Sequence, residues 1–541
     1  MAANNRLLWL GVILALVVGV PFLDKPFHID DTVVLRVAEQ ITRDPLRPFS
    51  ADINWFGDPR PIFRETTNPP FVSYWVAPAV AAFGFSEVPI HLAMLAFLVV
   101  LGVATAWLSR RFAGGSAWPV LFVMLSPAVV VSNNVMRDVA LAALSAAAAA
   151  LFVAGVDRRR WPLALAGGLV VGLAILSKYS GVVLLPALAA YALLQRRGRY
   201  ALWLLAPVGM LGLWCLQNQL VHGRVHLEYL MAERRGTLPW QDRFYAALVI
   251  VGACLFLVPA LVVGAGRRAW VWLAVGAAVA AALALLGARL HNQAAVGWQY
   301  GLWVTTGAAL VFMVLVPALA AAPGALSRRE GDGADHLFLA LWAGGVLAFA
   351  VFFVMFQAVR HVIPAIAPLA LLAVRLLRRP EARTRLLPIL LGVLLAAQAV
   401  IAFMVAAGDY QYAGTYRRFA REAQRLQRPG REVWFMGNWG WQRYALSAGY
   451  TLLAAHGRRP RPGEWIIIPD RVHKGPVPEG LPLEFVWEKT YRGRIPIHTM
   501  DGYIGASFYA VTGRNVPYRF TRQRDLETFR IFRVGKPGDA P

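Results

Sequence analysis

Cysteine is almost missing from this chain: Cys215 and Cys254 are the only two in 541 residues. Both lie inside apolar runs, where a small hydrophobe is the expected role, so neither a disulfide framework nor a thiolate metal site has support. Charge is sparse as well. Charged side chains make up 16% of the sequence against 58% hydrophobic, and the mean hydropathy is +0.51, too apolar for an ordinary soluble globule. No Walker loop or Rossmann glycine fingerprint occurs, which disfavours nucleotide hydrolysis. No His, Cys and carboxylate set shows metal-ligand spacing, and no internal repeat is visible. The apolar run 7–20 is followed by PFLDKPFHIDD with no small-residue cleavage site, so it reads as a retained first helix. Acidic residues are few, 30 against 54 Lys and Arg, for a net charge of +24. That excess does not read as nucleic-acid binding, because the basic residues fall in short clusters between apolar segments, as the positive-inside rule requires. What is left is a polytopic α-helical membrane protein.

Crossing a bilayer takes about 20 apolar residues, and cutting the chain at its charged punctuation gives about thirteen candidate transmembrane helices. The first spans fall near 7–23, 88–108, 118–132 and 139–156, a Pro-flanked aromatic helix occupies 70–84, and the last span falls near 386–407. Basic clusters at 110–111, 157–160, 195–199, 266–268, 327–330 and 375–385 fall on one face, expected to be cytoplasmic. The other face collects Asp30, Asp31, Glu65, Asn68, Asn133, Asn134, Arg137, Asp138, Lys178, Tyr179, the loop 219–243, Arg360 and His361. Composition then changes. Residues 1–407 read as a transmembrane domain with a catalytic loop at 24–87, and 408–541 as a separate extracytoplasmic α/β domain. Within the latter, a helix is expected at 416–427 and strands at 432–437, 464–469 and 483–491. The Ala-rich runs 141–150 and 274–284 suit close helix packing. The aromatic run WFMGNWGWQRY, 434–444, reads as buried core ahead of a sugar-stacking surface.

Two adjacent carboxylates just past a span are ordinarily solvated loop residues. On a helix, however, neighbours point about 100° apart, so one faces a cleft while the other organises it. Asp30 is the candidate general base for transfer to a hydroxyl, with Asp31 beside it. Lys178, flanked by apolar segments in LAILSKYSGVVLLPAL, must snorkel, pair or bind an anion. Arg360, in FQAVRHVIPAIAP, either holds Asp138 or Glu65 or offers its planar fork to phosphate oxygens. Asp138 opens a span, where a carboxylate suits a helix N-terminus. His361 reads as a polar interface residue. Three readings stand: a transferase, a transporter or flippase with ionisable groups along a pathway, and an assembly scaffold working through 408–541.

The order HIDD, TTNPPFVSYW, NNVMRD, LSKYSGVVLLPAL and RHVIPAIAP, over roughly 8–380, resembles the GT-C membrane glycosyltransferases. The likeness is to the branch of protein O-mannosyltransferases, aminoarabinose transferases and rhizobial galacturonosyltransferases. The resemblance implies transfer of a sugar from a polyprenyl-phosphate donor to a lipid, glycan or protein acceptor outside the cytoplasm, usually with inversion, at the inner membrane. Carried over, Asp30 resembles the base, and Lys178 and Arg360 the cations on the lipid phosphate. Glu65, Asn68, Asp138, Tyr179 and His361 fall among the substrate-binding positions. Asp31 stands where Glu is common in the family, and Asn68 where His or Glu is common. A divalent metal is therefore left open, with no ligand assigned.

Overall fold

A computed structural model describes residues 2–233, 238–265, 297–320, 332–379, 384–427, 431–453, 458–511 and 515–536. Within them, eight helices are long and apolar enough to cross a membrane, from Asn5–Phe22 to Leu387–Leu426. The count becomes nine if Trp240–Cys254 and Val258–Gly264, which meet at 80°, form one span. The expectation of thirteen is therefore not reached among the described residues. The segment 118–132 is no continuous span but two short helices, Trp118–Met124 and Pro127–Val130. They are separated where Ser126 turns its hydroxyl to the Ala128 N–H at 3.2 Å, an N-cap that Pro127 follows. Phe71–Phe83, Trp161–Ser177 and Tyr179–Leu194 are apolar but shorter. The sequence features at 266–268, 274–284 and 327–330, and part of 375–385, lie outside the described residues.

Bare backbone lets the helices approach closely. A Cβ on Gly11 would meet the Gly102 carbonyl carbon at 2.5 Å, and one on Gly307 would meet the Leu248 oxygen at 1.8 Å. Glycine is thus required where Ala2–Gly19 crosses Glu87–Phe112, and where Trp240–Cys254 crosses Gly297–Ala320. The Ala-rich run 141–150 lies in Arg137–Asp157 and is almost wholly buried.

The bundle has two chemically distinct ends. At one, Arg111 pairs with Asp157 at 2.6 Å and with Asp335 at 2.8 Å, and Arg375 pairs with Asp335 at 3.1 Å. Arg197 reaches the Asp157 carbonyl at 2.9 Å. Basic clusters far apart in sequence therefore gather there. The other end carries the turn 25–31, the helix Asp31–Arg43, the loop 132–136, Lys178 and Arg360.

The last membrane helix continues unbroken through the composition change, from Leu387 to Glu422, and at 1.5 Å per residue it is about 54 Å long. Beyond it, five strands order as Thr451–Leu452, Val433–Phe435, Trp465–Pro469, Asp525–Val534 and Leu483–Arg492. The first three are parallel and the last two antiparallel additions. Trp434 and Trp441 are core residues whose indole N–H groups donate to Glu464 and to the Met436 carbonyl, both at 2.8 Å. Residues 497–511 and 515–520 lie outside this sheet and pack against the membrane bundle. Ile497, Phe508, Tyr509, Val511, Val516 and Tyr518 share one buried cluster with the spans, and the Tyr518 hydroxyl donates to the Ala253 carbonyl at 2.6 Å.

Candidate functional site

Asp30 lies on the turn between the first helix and the amphipathic helix Asp31–Arg43. Ile29 ahead of it has φ +46°, a left-handed conformation that a β-branched residue adopts only when its surroundings impose it. Asp31 is fully buried. Its Oδ2 accepts the His28 N–H at 2.7 Å and its Oδ1 the Val135 N–H at 2.8 Å. The carboxylate thereby fastens the turn 28–31 to the loop 132–136. Burial pushes its pKa up to about 7, against the pull of those two donors and of Lys25. Both oxygens are engaged by backbone, so the chemistry open to Asp31 is positional.

Arg360, on the first turn of Val359–Leu377, bonds Asp30 through Nη1, which also lies 3.8 Å from the Met136 sulfur. The alternative partners Asp138 and Glu65 are not the ones it takes. Lys178 sits at the break between two apolar helices with Nζ 2.6 Å from Asp138 Oδ1, and both side chains are largely buried. Asp138, the second residue of Arg137–Asp157, lies in the first turn of that helix, where a carboxylate was expected, and also pairs with Lys178. Between these pairs stands Arg137, 8% exposed. Its Nε and Nη2 are buried with no hydrogen-bond partner, and it lies within electrostatic reach of Asp30, Asp138 and Arg360. Three cations face two carboxylates, so one positive charge is in excess at the membrane surface.

Lys178 and His361 line a cavity of about 410 Å³, mouth included, whose other walls include Leu141, Trp342, Val346 and Phe349. His361 packs on Phe356, with ring centroids 5.7 Å apart. Tyr179 begins a relay to the loop 60–68. The Trp214 indole N–H donates to its hydroxyl at 3.0 Å, and the hydroxyl meets His226 Nδ1 at 2.9 Å. His226 Nε2 lies 3.1 Å from the Thr66 carbonyl. That carbonyl only accepts, so Nε2 carries the proton and Tyr179 donates to Nδ1. Glu65, 3.7 Å from Arg60, and Asn68, whose amide donates to Thr67 at 2.8 Å, sit on this loop, which His226 joins to Tyr179 through the Thr66 carbonyl. Among the described residues no group of three or more His, Cys, Asp or Glu side chains is placed to hold a metal ion, and no residue is assigned to one.

Sequence reading placed Arg137 on the correct face but outside the site. The available signal was an arginine directly before an aspartate where a span begins. His226, one of two histidines in 219–243, offered none.

Residues 67–221 match the family described as Dolichyl-phosphate-mannose-protein mannosyltransferase. The match takes in Arg137, Asp138 and Lys178 and leaves Asp30 and Arg360 outside. ArnT from Cupriavidus metallidurans in its apo state superposes with a TM-score of 0.50 at 15% identity, over 86% of this chain and 93% of that one. The chain has the fold of ArnT. At that identity, the likeness to ArnT is one of fold. ArnT bound to undecaprenyl phosphate aligns with a TM-score of 0.49 at 15% identity, over 85% and 92% of the two chains. An Archaeoglobus fulgidus oligosaccharyltransferase tethered to an acceptor peptide gives 0.45 at 12%, over 83% and 64%. No curated protein matches the sequence. In this fold the charged cluster occupies the bundle end that also receives the terminal domain.

Proposed function

We propose that the chain transfers a sugar from a polyprenyl-phosphate-linked donor to a lipid, glycan or protein acceptor on the extracytoplasmic face of the bacterial inner membrane. Asp30 acts as general base, and Lys178, Arg360 and Arg137 hold the donor phosphate. The observation that carries this reading is a carboxylate, Asp30, set among an excess of buried cations of which Lys178 also lines a cavity with apolar walls. The matched family's description names a lipid-phosphate mannose donor, which supports the donor class.

The acceptor hydroxyl oxygen bonds to the anomeric carbon as its proton passes to Asp30. The bond from that carbon to the phosphate oxygen breaks, and its electron pair leaves with the lipid phosphate. Negative charge grows on that phosphate during the reaction, so fixed cations beside it favour the transition state over the ground state. Guanidinium groups suit this place because their planar fork matches phosphate oxygens. Asp31 sets the turn, and Asp138 sets Lys178. His361 flanks the phosphate from the cavity wall. Glu65, Asn68 and Tyr179 border the sugar from the loop side.

The test is sugar transfer from a polyprenyl-phosphate donor by Asp30→Asn. Loss of a general base lowers kcat by about 10²–10⁴, and full activity in the variant overturns the assignment. Lys178→Ala and Arg360→Ala are expected to weaken donor binding; unchanged affinity in both removes the phosphate site.

A further inference from the structure

The two members of the Asp30–Arg360 pair sit on strands of chain that the terminal domain holds from outside the bundle. The Phe27 N–H donates to the Tyr444 hydroxyl at 2.8 Å, and that hydroxyl donates to Glu87 at 2.9 Å. Gly440, one turn earlier on the same helix, lies so close that a Cβ there would meet the Phe27 carbonyl oxygen at 2.6 Å. Lys25 is buried and pairs with Asp409 at 2.8 Å. Asp409 in turn accepts from the Thr499 and Tyr509 hydroxyls, both at 2.7 Å. The His28 ring stands edge-on to Tyr412 and Tyr509, with centroids 5.4 and 5.1 Å away. On the Arg360 side, the Val359 N–H donates to the Phe508 carbonyl at 3.2 Å, and Gln357 bridges to Val511.

These contacts surround a strained point. Ile29, with φ +46°, stands between the held residues 25–28 and Asp30. A left-handed β-branched residue is strained and persists only where neighbours over-determine it. The neighbours that do so here come mainly from 409–509, beyond the last span's apolar part.

We propose that the terminal domain is a positioning element of the transferase site, in which Tyr444, Asp409 and Tyr509 hold the turn 25–31 so that Asp30 meets the reacting hydroxyl. This deepens the function proposed above and rests on it for the identity of the base. The domain's contribution is geometric: no group of these three touches a reacting atom. Misplacing a base by about 1 Å costs about 10²-fold in rate, so conservative changes at the joint are expected to act on kcat.

The experiment uses the full chain in detergent with three variants. Tyr444→Phe removes the acceptor of the Phe27 N–H, and Tyr509→Phe removes a donor to Asp409. Tyr450→Phe is the control, because its hydroxyl bonds the Ala420 carbonyl at 2.6 Å inside the terminal domain and away from the turn. Hydrogen exchange over 25–31 is expected to quicken in the first two and stay at the wild-type rate in the third. Transfer from a polyprenyl-phosphate donor is expected to fall about 10- to 100-fold in kcat in the first two, with donor KM little changed. Unchanged exchange over 25–31 in both joint variants overturns the proposal, as does an equal fall in kcat for Tyr450→Phe, which would mark general loss of domain stability. If exchange responds as expected while wild type itself transfers nothing from the donor, positioning stands and the donor assignment fails.

Discussion

The Lys178–Asp138 pair separates a phosphate ligand from a structural salt bridge. The two atoms lie 2.6 Å apart with side chains 12% and 6% exposed, so each charge depends on the other. Lys178→Met strands a buried carboxylate and Asp138→Leu strands a buried ammonium; breaking such a pair from one side costs about 3–5 kcal/mol. The double variant removes both charges together, and replacing a whole buried pair by apolar side chains is neutral or stabilising by about 1–4 kcal/mol. Stability in denaturant titration should therefore fall in each single variant and return in the double. Activity should not return. If Lys178 stabilises charge on the departing phosphate, its loss lowers kcat by about 10²–10³, and restoring the fold leaves that deficit in place. Single-turnover transfer from a polyprenyl-phosphate donor, measured on protein whose unfolding has been scored in parallel, reads both quantities. A double variant that is as stable and as fast as wild type refutes the reasoning and reduces Lys178 to the counter-ion of Asp138.

Asp31 predicts a pH dependence with a definite sign. Its pKa stands near 7 in the fold against 3.8 ordinarily, so the stability it contributes is greatest below about pH 4 and is lost as pH rises through about 7. Asp31→Asn should flatten that part of the unfolding profile, and an unchanged slope removes Asp31 as its source. Helix packing gives a second outcome: Gly307→Leu, against the Leu248 carbonyl, should cost about 1–3 kcal/mol or more through overpacking. Gly209→Ala, with nothing within 4 Å of its added Cβ, should change stability by under about 0.5 kcal/mol, both read from unfolding midpoints.

Much of the site was legible because charge in an apolar chain is conspicuous. Asp30, Lys178 and Arg360 are lone ionisable residues at span ends, and the fold brings them to one end of the bundle. Their partners were not legible. Arg360 meets Asp30 across 330 positions and Lys178 meets Asp138 across 40, and no local period encodes such pairings. Arg137 was hidden by its neighbour: the carboxylate beside it, in the first turn of the helix, offered a local account of the span's start that left the arginine without a role. One expected span differs for another reason. Hydropathy measures how apolar a window is, and 118–132 is apolar enough, yet Ser126 and Pro127 break it into two short helices. The strands at 433–435, 465–469 and 483–492 emerged from β-prone runs bounded by Gly and Pro. The packing of 497–511 and 515–520 against the bundle did not, since their polar and aromatic residues are matched to buried partners such as Asp409 and Ala253 rather than to a lipid-like pattern.

The pairing of Asp30 with Arg360 bears on the order of events in the proposed reaction. The Asp30 oxygen that accepts from Arg360 is not free to accept the proton of an attacking hydroxyl. A donor phosphate entering beside Arg137 and Lys178 offers Arg360 oxygens carrying more charge than one carboxylate does, in a setting where water competes poorly. Arg360 then turns from Asp30 to the phosphate, and the base becomes available as the leaving group is seated. Arg137, whose Nε and Nη2 have no other partner, needs no exchange and receives the phosphate first. On this argument the excess positive charge recruits the donor and the ion pair withholds the base until it arrives. The terminal domain contributes by keeping the turn fixed while Arg360 lets go: Asp30 remains held through Asp31, Tyr444 and Asp409, so loss of one partner exposes its oxygen without moving it.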